Sequence, residues 1–212
     1  MDQNLIGSIE HVVCHMGSPE KNLFAGISFD YTDTAYVAPD IGTYADANKS
    51  QGGYGQGQLS HAVGLMFWLT GLRAEQVFAH MSNVDSKVDM YDALSVRFTN
   101  GAIGTVAGAA SVPGGARFQL DLRIFGSEGV LNLDIDRERL DVYRHDGKVE
   151  TVDLQRDEGA YACDGPPHEF VELILGLTDT ISSPIEIGLR SVELIDAAYR
   201  SAQSNLSIRI DG

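Results

Sequence analysis

The spacing of apolar positions changes period along this chain, and each change marks a different kind of element. Leu5 to Met16, with Ile6, Ile9, Val12 and Val13, predicts a strand. A polar stretch, Gly17 to Asn22, separates it from "LFAGISFDY", which predicts a second strand. Residues 32 to 58 lack periodicity and are rich in Gly, Asp, Asn and Tyr, as in a long loop that is functional or disordered. From Leu59 to Leu69 the pattern is helical and apolar nearly all round, predicting a helix buried against a sheet, with Gly71 as its C-terminal cap.

The period then falls to two. "EQVFAHMS" reads as a strand, and "ALSVRFTNGAIGTVAGAAS" as a hairpin with Leu94, Val96 and Phe98 on one face and a tight turn at Asn100-Gly101. A second hairpin carries Leu120, Leu122 and Ile124, turns at Glu128-Gly129 and returns through Leu131, Leu133 and Ile135. A third turns at Asp146-Gly147. Three successive hairpins predict an antiparallel sheet with one buried face. Helical spacing returns with Phe170, Leu173, Ile174 and Leu177 after Pro166-Pro167, and again with Leu189, Val192, Ile195 and Tyr199. "LSIRI" predicts a last short strand. Strands in the middle, with helices at one early point and at the end, indicate a single α+β domain over residues 1–212.

Composition narrows the function classes. Of 212 residues, 43% are hydrophobic and 21% charged, the balance of an ordinary globular protein. The formal charge is −15, from 30 acidic against 15 basic residues. Such a surface repels nucleic-acid phosphates and anionic lipids, so neither nucleic acid nor membrane is an expected partner. Cys14 and Cys163 lie far apart and form no metal-type spacing. With no apolar run of spanning length and no signal-like N-terminus, a reduced, cytoplasmic protein is the expectation.

Candidate chemistry gathers in "GGYGQGQLSHAVGLMFWLTG", residues 52 to 71. A dinucleotide fingerprint would need Gly-x-Gly-x-x-Gly between a strand and a helix of a βαβ unit. Gly53 and Gly55 fit its first half, but Gln58 occupies the third glycine position and hairpins follow the helix. Tyr54, Gln56 and Gln58 alternate with glycines, which suits either hydrogen bonding to a polyhydroxylated molecule or a mobile surface loop. His61, at the helix start, is either a core residue or an acid/base group whose near-neutral pKa suits proton transfer. His11 and His15 share one strand face without a third ligand in view, and Asp134, Asp136 and Glu138 alternate along a solvated strand end.

In order along the chain, "GGYGQGQLSHAVGLMFWLTG…VFA", "VRFTNGAIGTVAG", "LRIFGSEGVLNLD" and "HEFVELILGL…SPIEIGLRSVELIDAAYRSAQS" resemble the C-terminal domain of the Gfo/Idh/MocA oxidoreductases. That family includes the glucose–fructose oxidoreductases and inositol dehydrogenases. The resemblance covers about residues 5 to 210 and implies a large, mostly antiparallel sheet with helices on one face and the other face available for homo-oligomer formation. It also implies an N-terminal Rossmann domain that binds NAD or NADP and carries a catalytic lysine. This chain would then be the C-terminal, substrate-binding half of an enzyme acting on a sugar, polyol or related hydroxyl compound, with no cofactor bound and no turnover by itself. In many members a helix-start Asp-x-x-x-His pair touches substrate. The histidine maps to His61, the implied acid/base residue, while Gly57 replaces the aspartate and Gly64 stands where a second acid is frequent. Gln56 and Gln58 are the implied substrate contacts, with Tyr54 added by its place in the loop; His168 is either a solvated helix-start residue or a further contact, since in this family that region can approach the active-site cleft. The missing acids leave open a non-catalytic binding or assembly module.

Overall fold

The computed structural model describes residues 5–27, 40–153, 155 and 164–210. Within them, nine strands form one twisted sheet in the order β8-β7-β6-β5-β1-β4-β3-β2-β9. The strands are β1 (Ile9–Gly17), β2 (Ala74–Ser82), β3 (Tyr91–Phe98), β4 (Ile103–Ala109), β5 (Gln119–Gly126), β6 (Gly129–Asp134), β7 (Arg139–Arg144), β8 (Val149–Asp153) and β9 (Ile208–Arg209). The helices are α1 (Lys21–Phe24), α2 (Ile41–Tyr44), α3 (Ala47–Ser50), α4 (Ser60–Thr70), α5 (Gly165–Ile174) and α6 (Ile185–Ser204). The α+β class and the mostly antiparallel sheet are as the sequence predicts.

Alternation sets the register. Leu94, Val96 and Phe98 on β3, Leu120, Leu122 and Ile124 on β5, and Val12, Cys14 and Met16 on β1 all point into one core. A slip of one residue on β3 would replace its three apolar residues with Ala93, Ser95 and Arg97, forfeiting about 1.5–3 kcal/mol per large side chain. Cys14 is a buried thiol, and loss of water there pushes its pKa up to about 12; Cys163 lies outside the described residues. Helix α6 packs chiefly on β2, and α4 packs on both α6 and β1.

Several details depart from the sequence reading. The first strand inserts in the middle of the sheet, antiparallel to β5 but parallel to β4. The predicted second strand is instead α1 and a turn as far as Ile27; its remainder lies outside the described residues. Inside the predicted loop, α2 and α3 are short helices capped by Asp40 and Asp46, whose carboxylates accept the Gly42 and Asn48 N–H groups. The β3–β4 turn is a three-residue loop in which only Gly101 is left-handed (φ 89°), and Gly147 (φ 88°) repeats it between β7 and β8. In both, the side chain before the glycine, Asn100 or Asp146, accepts the N–H two residues on. The β5–β6 turn is Ser127-Glu128, one residue earlier than expected, because Gly126 pairs with Gly129.

The late helices form where predicted, but their apolar faces are not all buried. Ser191, Leu194, Ile195, Ala198 and Ser201 make the buried stripe of α6, whereas Leu189 and Val192 are exposed. Phe170 and Ile174 of α5, and Leu177 beyond it, are exposed as well. Together with Trp68 they leave an apolar surface on the helical side.

Candidate functional site

Glycines at 52 and 53 are required by what lies beneath the loop. A Cβ on Gly52 would sit 2.2 Å from the Tyr199 hydroxyl, and one on Gly53 would sit 2.2 Å from the Asp89 carbonyl. The loop is thus pressed onto the β2–β3 connection and α6. Asp89 grips it: its Oδ1 accepts from Gly53 N at 2.8 Å and its Oδ2 from Gly55 N at 2.7 Å. The Tyr199 hydroxyl donates to Asp89 Oδ1 at 2.8 Å and accepts from Gly53 N at 3.1 Å and Gln56 N at 3.2 Å. The backbone then makes a π-helical turn over Gly55–Leu59 before entering α4. Such turns concentrate at functional sites because they re-aim the next residues.

These bonds answer whether the loop cradles phosphate. A phosphate needs free backbone N–H groups, and here those of Gly53, Gly55 and Gln56 already serve Asp89 and Tyr199. The buried Asp89 carboxylate under the same turn would also repel an anion. Those three amides are therefore not free for a dinucleotide phosphate.

Its product is the direction of α4. Four residues of α4, His61, Gly64, Leu65 and Trp68, follow the helical repeat along its outward face and form one wall of a groove of about 980 Å³. The opposite wall is the first half of α6, including Ile187, Gly188 and Val192. The expected all-round burial of α4 is therefore replaced by an open face: Trp68 is 53% exposed, while Ala62, Val63, Met66 and Phe67 are buried. Gly64 faces Ser191, where a Cβ would lie 3.6 Å from its Oγ, so the two helices approach closely at the groove floor. The groove is apolar along its length with a polar end at Gln56, Ser60 and His61. His61 is exposed at the rim, yet the surrounding protein removes enough water to hold its pKa below the ordinary 6.5. Near neutral pH it is an uncharged imidazole able to accept a proton.

The five residues singled out from the sequence separate in the structure. Gln56 and His61 share the groove. Tyr54 does not line it: the ring is wholly buried, its hydroxyl donates to the Met16 carbonyl at 3.2 Å, and burial raises its pKa to about 12. Gln58 is half-buried in the π turn and His168 is exposed on α5; neither lines the groove, although Pro166 of α5 does. A Cβ at Gly57 would meet the Phe24 ring at 3.1 Å, so the position that resembles the family aspartate faces an aromatic side chain. On the open sheet face, His11 packs on the Phe125 ring and His15 bonds Asp121 at 3.2 Å. Asp134 pairs with Arg137 and Glu138 with Arg117, in and beside the β6–β7 turn.

Asp89, Asp92 and the Tyr199 hydroxyl escaped the sequence reading. One signal was present. Asp92 is in phase with Leu94, Val96 and Phe98, so an acid occupies a core-facing position. The contact of Tyr199 with the loop, 146 residues away in sequence, left no local trace.

The profile of the GFO/IDH/MocA C-terminal domain matches residues 1–132. No curated protein matches the chain by sequence. Solved structures match its fold throughout. A levoglucosan dehydrogenase in complex with NADH and levoglucosan is 17% identical, with a TM-score of 0.75, covering 100% of this chain and 61% of its own. An oxidoreductase domain protein from Kribbella flavida is 17% identical, with a TM-score of 0.75 and coverage of 99% and 60%. GenD2 from gentamicin A biosynthesis, in complex with NAD, is 19% identical, with a TM-score of 0.70 and coverage of 100% and 58%. The chain thus spans about three-fifths of the length of these structures.

Proposed function

The chain belongs to the Gfo/Idh/MocA C-terminal domain family, and from that premise we propose that it is the substrate-binding domain of an NAD(P)-dependent oxidoreductase acting on a sugar, polyol or related hydroxyl compound. The observation that carries the proposal is the groove with His61 at its polar end and Gln56 beside it. A substrate carbon skeleton lies along the apolar wall of α4 and α6. Gln56 orients a hydroxyl, and the neutral imidazole of His61 accepts that hydroxyl's proton as the carbon is oxidised, or returns it in the reverse direction. The nicotinamide supplies the hydride chemistry. Its dinucleotide would sit on a Rossmann domain beyond this chain, since the Gly53, Gly55 and Gln56 amides of the loop already serve Asp89 and Tyr199. The exposed apolar side chains of α5 and α6, Phe170, Ile174, Ile185 and Leu189, give that second domain a surface to cover.

The opposite sheet face is the proposed surface for self-association. It combines small residues, Ala93, Ser95, Thr105 and Ala107, with Phe125, the exposed Ile103 and the partly exposed Tyr143. One specific observation favours the rival reading, a non-catalytic binding module: neither Gly57 nor Gly64 provides a carboxylate near His61.

Binding is tested on the chain itself, by titrating isotopically labelled protein with sugars and polyols and following amide and imidazole resonances. Changes centred on Gln56, His61 and Trp68 are expected. Changes centred elsewhere, or none up to saturating ligand, remove the groove from consideration.

A further inference from the structure

Asp92 presents a problem that the fold does not solve with hydrogen bonds. Its side chain is 4% exposed, and neither carboxylate oxygen has a donor among the described residues. No cation among the described residues pairs with it. An ionised carboxylate left in that state is costly by several kcal/mol. Its neighbour Asp89, 5% exposed, has the complementary shortage. A carboxylate offers about four acceptor sites. Asp89 Oδ1 takes Gly53 N and the Tyr199 hydroxyl, while Oδ2 takes only Gly55 N. The Oδ2 atoms of both acids lie 3.4 Å from the point where a Gly55 Cβ would stand, so both converge under the same loop residue.

We propose that Asp92 and Asp89 share one buried proton, carried by Asp92 and donated to Asp89 Oδ2, and that this proton positions the glycine loop and the π turn that aims Gln56 and His61 into the groove. Asp89 and Asp92 are positioning residues: Asp89 bonds the loop backbone at Gly53 and Gly55, and Asp92 acts through Asp89. The proton completes Asp89 as the fixed acceptor for the loop. Its loss puts a second negative charge beside the first, and the cheapest escape is for the loop amides to let Asp89 turn toward water. The relevance to the groove rests on the function proposed above; the existence of the proton does not.

The groups around the pair leave the assignment clear. From the loop comes the Tyr54 hydroxyl, and from α6 the Tyr199 hydroxyl. Burial and, for Tyr199, the adjacent Asp89 charge raise both, so neither ionises in the neutral range. Glu20, ahead of α1, acts on Tyr54, and Lys87 lies on the Asp89 connection at the rim of a neighbouring polar groove. From β4, Gly108 faces Asp92, with its Cβ position 3.2 Å from Asp92 Oδ2. Burial and the nearby Asp89 charge raise Asp92 from 3.8 to about 8.

The test is a pH titration of the whole chain, labelled with carbon-13 at aspartate carboxyls and nitrogen-15 at glycine. The Asp92 carboxyl should titrate alone, with a midpoint near 8, and the Gly53 and Gly55 amides should move with the same midpoint. In Asp92→Asn the side-chain amide replaces the donated proton. Both glycine amides should then keep their neutral-pH positions and stay flat to pH 9, while Asp92→Ala, which has no donor, should displace them at every pH. Titration of Asp92 among the ordinary carboxylates below pH 5 overturns the proposal. So do glycine amides that ignore the Asp92 midpoint, or that titrate unchanged in Asp92→Asn. The wild-type arms decide the matter if a variant fails to fold, and none of the arms depends on whether the groove binds a sugar.

Discussion

Replacing Gly53 with alanine should be among the most damaging single methyl additions in this protein. The new Cβ would stand 2.2 Å from the Asp89 carbonyl oxygen, 2.7 Å from its nitrogen and 2.9 Å from Val88 Cβ. Backbone surrounds it on two sides, so no rotamer change relieves the overlap. Ordinary contact requires the loop to retreat by about 1 Å. That displacement carries the Gly53 and Gly55 amides, now 2.8 and 2.7 Å from the Asp89 carboxylate, out of hydrogen-bonding range. Hydrogen bonds to charged groups contribute about 1.5–3 kcal/mol each, so a loss of about 3–6 kcal/mol is expected for the two. Urea unfolding at pH 6 measures it as a lower midpoint with an unchanged slope. Gly114→Ala is the control, because a Cβ there meets nothing within 4 Å; its effect should stay within about 0.5 kcal/mol. A Gly53→Ala loss below about 1 kcal/mol would refute the reasoning, since the loop would then not be clamped on Asp89.

Tyr199→Phe removes one donor to Asp89 and leaves the Gly53 and Gln56 amides without the hydroxyl they share; a loss of about 1–3 kcal/mol in thermal or urea unfolding is expected, and none would mean that water replaces the hydroxyl freely. Gly64→Ala should do the reverse, stabilising α4 by about 0.5–1 kcal/mol, because its Cβ makes only an ordinary contact with Ser191 Oγ at 3.6 Å. Between pH 4 and 8 the native chain holds a proton on Asp92 that the unfolded chain releases, so that group's contribution to stability falls as pH rises, by up to about 1.4 kcal/mol per pH unit, and levels off above 8. The difference in unfolding free energy between wild type and Asp92→Asn should follow that slope; a difference independent of pH contradicts it. Light scattering at micromolar concentration should give at least a dimer, and a monomer would count against the sheet face as an association surface.

Local rules made the hairpins legible. Alternation placed Leu94, Val96 and Phe98 inside, and Gly101 and Gly147 marked two turns to the residue. The turn at Ser127-Glu128 was misplaced because Gly129 is a strand residue, kept small by the Tyr143 carbonyl across the β6–β7 pair, 2.5 Å from where its Cβ would stand. The position of β1 between β4 and β5 depends on pairings about a hundred residues away, which periodicity does not encode. Helix orientation was only half legible. Apolar residues around α4 and on α6 predicted helices, but Trp68, Leu189 and Val192 line a groove instead of a core, and composition does not separate those fates. At the site, His61 and Gln56 were found by their place in the glycine loop. Tyr54 was misjudged because alternation with glycine looked like ligand clearance, whereas its ring fills the space over Gly108. The glycines themselves make room for Asp89 and Tyr199.

The central claim is that His61 handles the proton of a substrate hydroxyl, and the most direct measurement is the rate of hydride transfer in a protein that joins this chain to the proposed cofactor domain, comparing wild type with His61→Gln. Glutamine keeps a hydrogen-bonding group at the polar end of the groove but takes up no proton. The account predicts a fall in kcat of about 10²–10⁴-fold with a smaller change in KM. It also predicts a wild-type rate that declines as pH falls through a value below 6.5, where the imidazole becomes charged. An unchanged kcat in His61→Gln would contradict the account and leave the groove as a binding surface alone.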